Sequence, residues 1–84
     1  MKETQVGVIT HYYDHIGVGV VEVSGALKIG DQIHIKGGST DFTQEVTSMQ
    51  VEHKQIDAAK KEDIVGMKVD QEVAEKDVVY KVEE

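Results

Sequence analysis

Apolar residues recur along this chain in short runs with a period of two, the spacing of side chains that alternate between the faces of a β-strand. Residues 5–13 (QVGVITHYY) are rich in Val, Ile, Thr and Tyr and predict the first strand. Asp14 and His15 turn the chain, and residues 16–23 predict the second strand. There Ile16, Val18 and Val20 share one face, while Val21 and Val23 share the other. Such a change of phase implies a β-bulge or a strand covered on both sides. After a Ser24-Gly25 turn and the segment LKIGD (residues 27–31), residues 32–36 alternate cleanly. Ile33 and Ile35 point inward; Gln32, His34 and Lys36 point outward. Residues 37–41 (GGSTD) form a loop. Residues 42–54 predict one long strand, bent near Thr47-Ser48 because Val46 is out of phase with Met49 and Val51. Residues 57–63 (DAAKKED) hold most of the helix-prone residues, but a helix so short does not stand alone, so a loop with one helical turn at most is expected. Residues 64–69 and 77–82 are the last two strands.

Six turn-bounded strands in 84 residues predict one all-β domain spanning the chain. The choice of apolar residue agrees. There are 14 valines and 7 isoleucines but a single leucine, Leu27, and β-branched side chains favour a pleated sheet over a helix. An open sheet of this size leaves two long edges exposed, so closure into a small six-stranded antiparallel barrel is the expected architecture.

Charge narrows the partners. Sixteen acidic residues face nine basic ones, all nine are lysine, and the formal net charge is −7. Phosphate neutralisation drives binding to bare nucleic acid, and arginine is its usual reader; this chain has none. No bare nucleic acid and no anionic membrane surface is expected as a partner. There are no cysteines, which excludes a disulfide framework and fits a reducing compartment. No charged-then-apolar leader follows Met1, so a cytoplasmic location is expected.

Catalytic signatures are missing. Residues 36–40 (KGGST) have the letters of a phosphate loop in the wrong order, and a chain without asparagine cannot carry a guanine-reading Asn-Lys-x-Asp, so no nucleotide is expected. Ser24, Ser39 and Ser48 lack a nucleophile elbow. Residues 11–15 (HYYDH) are the sharpest cluster, with His11, Tyr13 and His15 on one side of an extended chain. A metal would need His34 or His53 to converge on them. The expectation is a module that is not an enzyme, with no cofactor and no metal.

Several segments resemble a known family. Residues 27–37 (LKIGDQIHIKG) are similar to a hairpin in domain 2 of translation elongation factors of the elongation factor Tu type. Residues 48–69 resemble the segment that follows it, and residues 77–82 (DVVYKV) the closing strand. The family's Ala-Gly-Asp turn reads Lys61-Glu62-Asp63 here, and its later Gly-Asp turn reads Lys76-Asp77, which fits if those turns need no positive φ. The resemblance implies a barrel of the domain 2 type that engages a protein or ribonucleoprotein through loops at one end, built from residues 13–17 and 63–67. The implied contact residues are Tyr13, His15 and Gly66, rather than the outward stripe of Gln32, His34 and Lys36. A similar barrel ends some collagenase-like peptidases, which implies the alternative of an accessory lobe acting with a peptidase-like enzyme.

Overall fold

The computed structural model describes residues 2–52 and 54–83. Ten strands follow in chain order: β1 (Lys2–Tyr13), β2 (Val18–Val23), β3 (Leu27–Lys28), β4 (Gln32–Lys36), β5 (Asp41–Glu45), β6 (Met49–Val51), β7 (Lys54–Ile56), β8 (Ala58–Ala59), β9 (Ile64–Lys68) and β10 (Val78–Glu83). All pairings are antiparallel, and there is no helix among the described residues. The all-β expectation therefore holds, with ten strands in place of six. The long strand expected over residues 42–54 is broken twice, after Glu45, where Val46 exchanges hydrogen bonds with Gly30 and Asp31, and after Val51, where a two-residue connection leads into β7. Residues 57–63, expected as a loop with one helical turn at most, hold no helix; Ala58 and Ala59 form a two-residue strand that pairs with Lys28 and Leu27. A two-residue bridge anchored by buried Leu27 overrides their helix preference.

Eight strands form one sheet in the order β5-β4-β10-β1-β2-β9-β6-β7, and β3 and β8 form a small second sheet. Their inward side chains meet in one core that includes Ile9, Val21, Ile33, Ile35, Met49, Val65, Met67 and Val79, all fully buried. The two ends of the order, β5 and β7, are not paired with each other among the described residues, so the ladder does not run full circle. A side chain spans part of the opening. Gln44 of β5, itself buried, donates from Nε2 to the Lys68 carbonyl (2.9 Å) and accepts the Asp70 N–H at Oε1 (2.8 Å). One amide thus satisfies the two backbone groups that a neighbouring strand would have satisfied.

Three turns are built alike. Residues 28–31, 60–63 and 74–77 each end in aspartate, whose Oδ2 accepts the N–H of the first turn residue: Asp31 from Lys28 (3.0 Å), Asp63 from Lys60 (3.0 Å) and Asp77 from Ala74 (2.9 Å). The third residue has positive φ in every case: 94° at Gly30, 79° at Glu62 and 75° at Lys76. Each turn then exchanges two backbone hydrogen bonds with one buried apolar residue, which is Val46, Val23 and Ile9 respectively. A buried residue precedes the turn (Leu27, Ala59, Val73) and another follows two after the aspartate (Ile33, Val65, Val79). The last two turns therefore do need positive φ, contrary to the sequence expectation, and non-glycine residues supply it at a cost of about 1–2 kcal/mol each.

The phase of β1 decides which aromatic faces out. Its pairing with β2 runs Ile9↔Val21 and then His11↔Val20, so Thr10 is an extra residue. The inserted residue moves every later side chain to the opposite face. Tyr12 consequently packs against the core, while His11 and Tyr13 project from the outer face. The bulge lies in β1 and not in β2, where the change of phase had pointed. Strand β2 is unbroken and apolar on both faces: Val21 and Val23 are buried inward, and Val18 and Val20 are half-buried outward.

Candidate functional site

The outer face of β1, β2, β9 and β6 carries an apolar groove of about 270 Å³ lined by Tyr13, Ile16, Val18, Val20, Gln50, Glu52 and Gly66. Register explains its shape. Val20 faces Gly66 across β2 and β9, and Gly66 faces Gln50 across β9 and β6. Gly66 therefore sits mid-sheet between two longer side chains. A Cβ there would lie 3.2 Å from Val18 Cγ1 and 3.8 Å from the Gln50 carbonyl, so its absence gives the groove its depth. Tyr13 and Ile16 rise along the groove, 48% and 66% exposed. Ile64, 59% exposed, continues the apolar surface along β9, since it shares the outward phase of Gly66.

Among the described residues Glu52 is the one acidic group of the lining. It follows β6 in a two-residue connection, because Val51 pairs with Lys54. Such connections favour positive φ and select Asn and Gly. Glu52 adopts φ 51° without either advantage. Among the described residues it joins no ion pair.

The opposite outer face is internally satisfied. The His34 ring on β4 lies between Glu3 of β1, with Nδ1 2.9 Å from Oε2, and Asp41 of β5, with Nε2 2.5 Å from Oδ1. Two carboxylates on the two ring nitrogens favour the doubly protonated imidazolium, which alone can donate to both. The Asp41 hydrogen bond raises the His34 pKa above its ordinary 6.5; partial burial opposes this and Glu3 adds to it. The same hydrogen bond lowers Asp41 below its ordinary 3.8. Tyr80 of β10 packs beside the ring at 6.3 Å between centroids.

Of the residues expected to form a partner face, Tyr13 and Gly66 come together in the groove and His15 does not. His15 stands in the turn after β1, almost fully exposed, 3.7 Å from its neighbour Asp14. His11 packs edge-on against Tyr13 at 4.5 Å and faces Glu75 at 3.7 Å. These histidines and His34 point to different carboxylates, and no group of three or more His, Asp or Glu among the described residues is arranged to hold a metal. His53, named as a further candidate ligand, lies outside the described residues. Sequence reading missed Gln50, Glu52 and the outward valines. The second apolar face of β2 was their signal, and it was read as either a bulge or a strand covered on both sides. No helix among the described residues is long and apolar enough to cross a membrane.

No protein-family model matches the chain. Over 84 residues, 99% of this chain, the sequence is 38% identical to a Methanocaldococcus jannaschii protein named as an uncharacterized protease, and the chain spans 21% of that protein's length. The fold superposes on the C-terminal domain of a Geobacillus thermoleovorans protein assigned to the U32 peptidases, with TM-score 0.88, 23% identity, and coverage of 94% of this chain and 92% of that one. The selenomethionine variant of that domain gives TM-score 0.87 at 23% identity, covering 90% and 96%. The resemblance to domain 2 of translation elongation factors is thereby overturned: the similarity lies with protease-named and peptidase-assigned proteins. The misleading segments are the turn segments. An aspartate that accepts its own turn's N–H, after a residue with positive φ, recurs three times within this one chain, so it reports turn chemistry and not descent.

Proposed function

We propose that this domain is a non-catalytic accessory lobe that acts with a peptidase-like enzyme. One observation carries the reading: the whole chain aligns at 38% identity with about a fifth of a protein named as a protease, which leaves the larger part of that protein to hold the chemistry. The site supports it. Among the described residues the groove is lined by a single carboxylate and no serine, threonine or cysteine, and its other polar groups are one tyrosine and one glutamine. Acid–base or nucleophilic catalysis needs a second positioned group within hydrogen-bond reach. In this reading the rolled sheet is a rigid barrel-type support, and the partner is protein and not bare nucleic acid, nucleotide or membrane. Tyr13 and Gly66 belong to the binding face; His15 flanks it.

The test is exchange within the Methanocaldococcus jannaschii relative. Its matching fifth is deleted in one variant and replaced by this chain in another, and hydrolysis of unfolded casein and the melting temperature are compared with the parent. The reading expects the deletion to lose hydrolysis or stability and the replacement to restore it. A deletion variant that cleaves and melts like the parent overturns the reading.

A further inference from the structure

We propose that the outer groove holds a short extended polypeptide segment that presents a large apolar side chain beside a lysine or arginine. The proposal rests on the accessory-lobe reading for the source of the polypeptide, and on the groove alone for its chemistry.

Size selects a segment over a folded partner. At about 270 Å³ the groove falls just below the roughly 300 Å³ lower bound of small-ligand pockets, which is room for a side chain and its backbone. A globular partner would need to bury on the order of 1,200 Å² in total, far beyond such a feature. Composition selects the apolar anchor. Val18 and Val20 form the floor, Ile16 and Tyr13 the wall, and Gly66 opens the depth into which a side chain fits.

Charge selects the neighbour. Among the described residues Glu52 is the only charged member of the lining and has no ion-pair partner. Lys68, in register with Val18, lies outside the lining. A cation seated at Glu52 also shares the groove with Tyr13, an aromatic residue of the kind that attracts a guanidinium. The two-residue connection after Val51 holds Glu52 at the rim in a left-handed conformation (φ 51°). Nucleic acid is the disfavoured occupant, since its phosphates would meet Glu52 and, among the described residues, no cationic group in the lining.

The experiment is a titration of the isotope-labelled chain followed by backbone amide NMR shifts. The probes are acetyl-Leu-Arg-amide, acetyl-Leu-Glu-amide and hexauridylate. The arginine peptide should shift the amides of Val18, Val20, Gln50 and Gly66 saturably, about fivefold more tightly than the glutamate peptide, the scale of one exposed charge pair. Glu52→Gln should bring the two peptides level. Tyr13→Ala, at an exposed position, should weaken both, and Lys36→Ala on the other face should weaken neither. Equal binding of the two peptides to the unaltered chain, shifts confined to other residues, or hexauridylate shifting the same amides would each overturn the proposal. A positive titration together with a failed domain exchange would retain the groove and discard the peptidase reading. The reverse result would discard the groove alone.

Discussion

Two outer faces of one small domain have been treated in opposite ways. On the β4–β5–β10 side, His34 has carboxylates on both ring nitrogens and an aromatic neighbour. On the β1–β2–β9–β6 side, Ile16, Val18 and Val20 surround a glycine, and a strained glutamate stands at the rim. The first face spends its polar groups on the protein itself. The second leaves apolar surface and one carboxylate for something else. Polarity alone would have ranked them the other way, since a histidine between two acids looks like chemistry and valines look like core. The informative observation is an outward apolar patch with a charge that joins no ion pair among the described residues, not a cluster of titratable groups.

The largest expected effect tests whether the two faces share one frame. Gln44 ties β5, at the edge of the polar face, to the chain leaving β9 on the groove side. Gln44→Ala strands the Lys68 carbonyl and the Asp70 N–H, and two unsatisfied groups cost about 2–4 kcal/mol. Urea unfolding should show that loss, with melting lowered by at least about 10 °C. A loss below about 0.5 kcal/mol, the ordinary range for a surface substitution, would mean that the seam does not depend on this side chain.

A smaller effect isolates the polar face. The folded state raises the His34 pKa, so its contribution is complete below the unfolded value of 6.5 and is lost as pH rises through the higher folded value. Asp41 has the opposite sign: its contribution is present above 3.8 and is lost as pH falls through the lower folded value. The arrangement therefore stabilises most between about pH 4 and 6.5, and solvent screening at these exposed groups keeps the contribution small. Stability measured at pH 6 and pH 8 should fall across that interval in the unaltered chain more than in His34→Gln. Peptide binding in the groove should not follow it.

The smallest effect separates strain kept for a turn from strain kept for a site. Lys76→Gly and Glu52→Gly each relieve a left-handed residue and should each stabilise the domain by a few tenths of a kcal/mol, the gain in strain less the added chain entropy of glycine. Only Glu52→Gly should remove the preference for the arginine peptide. If Lys76→Gly removes it as well, the preference does not reside in the rim.

The fold class was legible because period-two alternation and β-branched residues act locally. Ile33 and Ile35 face inward as their spacing implies. The repeated turn was also present in the letters, as an apolar residue, three variable positions, an aspartate, and an apolar residue two further on. It escaped a strand-by-strand reading because its meaning depends on a distant partner. Val46, Val23 and Ile9 complete the three turns from elsewhere in the chain. Gln44 offered a different signal, a polar residue in phase with buried Phe42, and a buried amide implies partners that only the folded chain names.

The sequence by itself determined an all-β chain, its inward valines and isoleucines, and an acidic surface, because each follows from residue type and near-neighbour spacing. Tertiary structure decided the site. The extra residue at Thr10 turns Tyr13 outward, and cross-strand register sets Gly66 between Val20 and Gln50. A hairpin then carries Glu52 to the same groove. No short window of sequence contains those choices. Register is fixed by which strands pair and where a bulge falls, and one residue of slip moves every side chain to the other face.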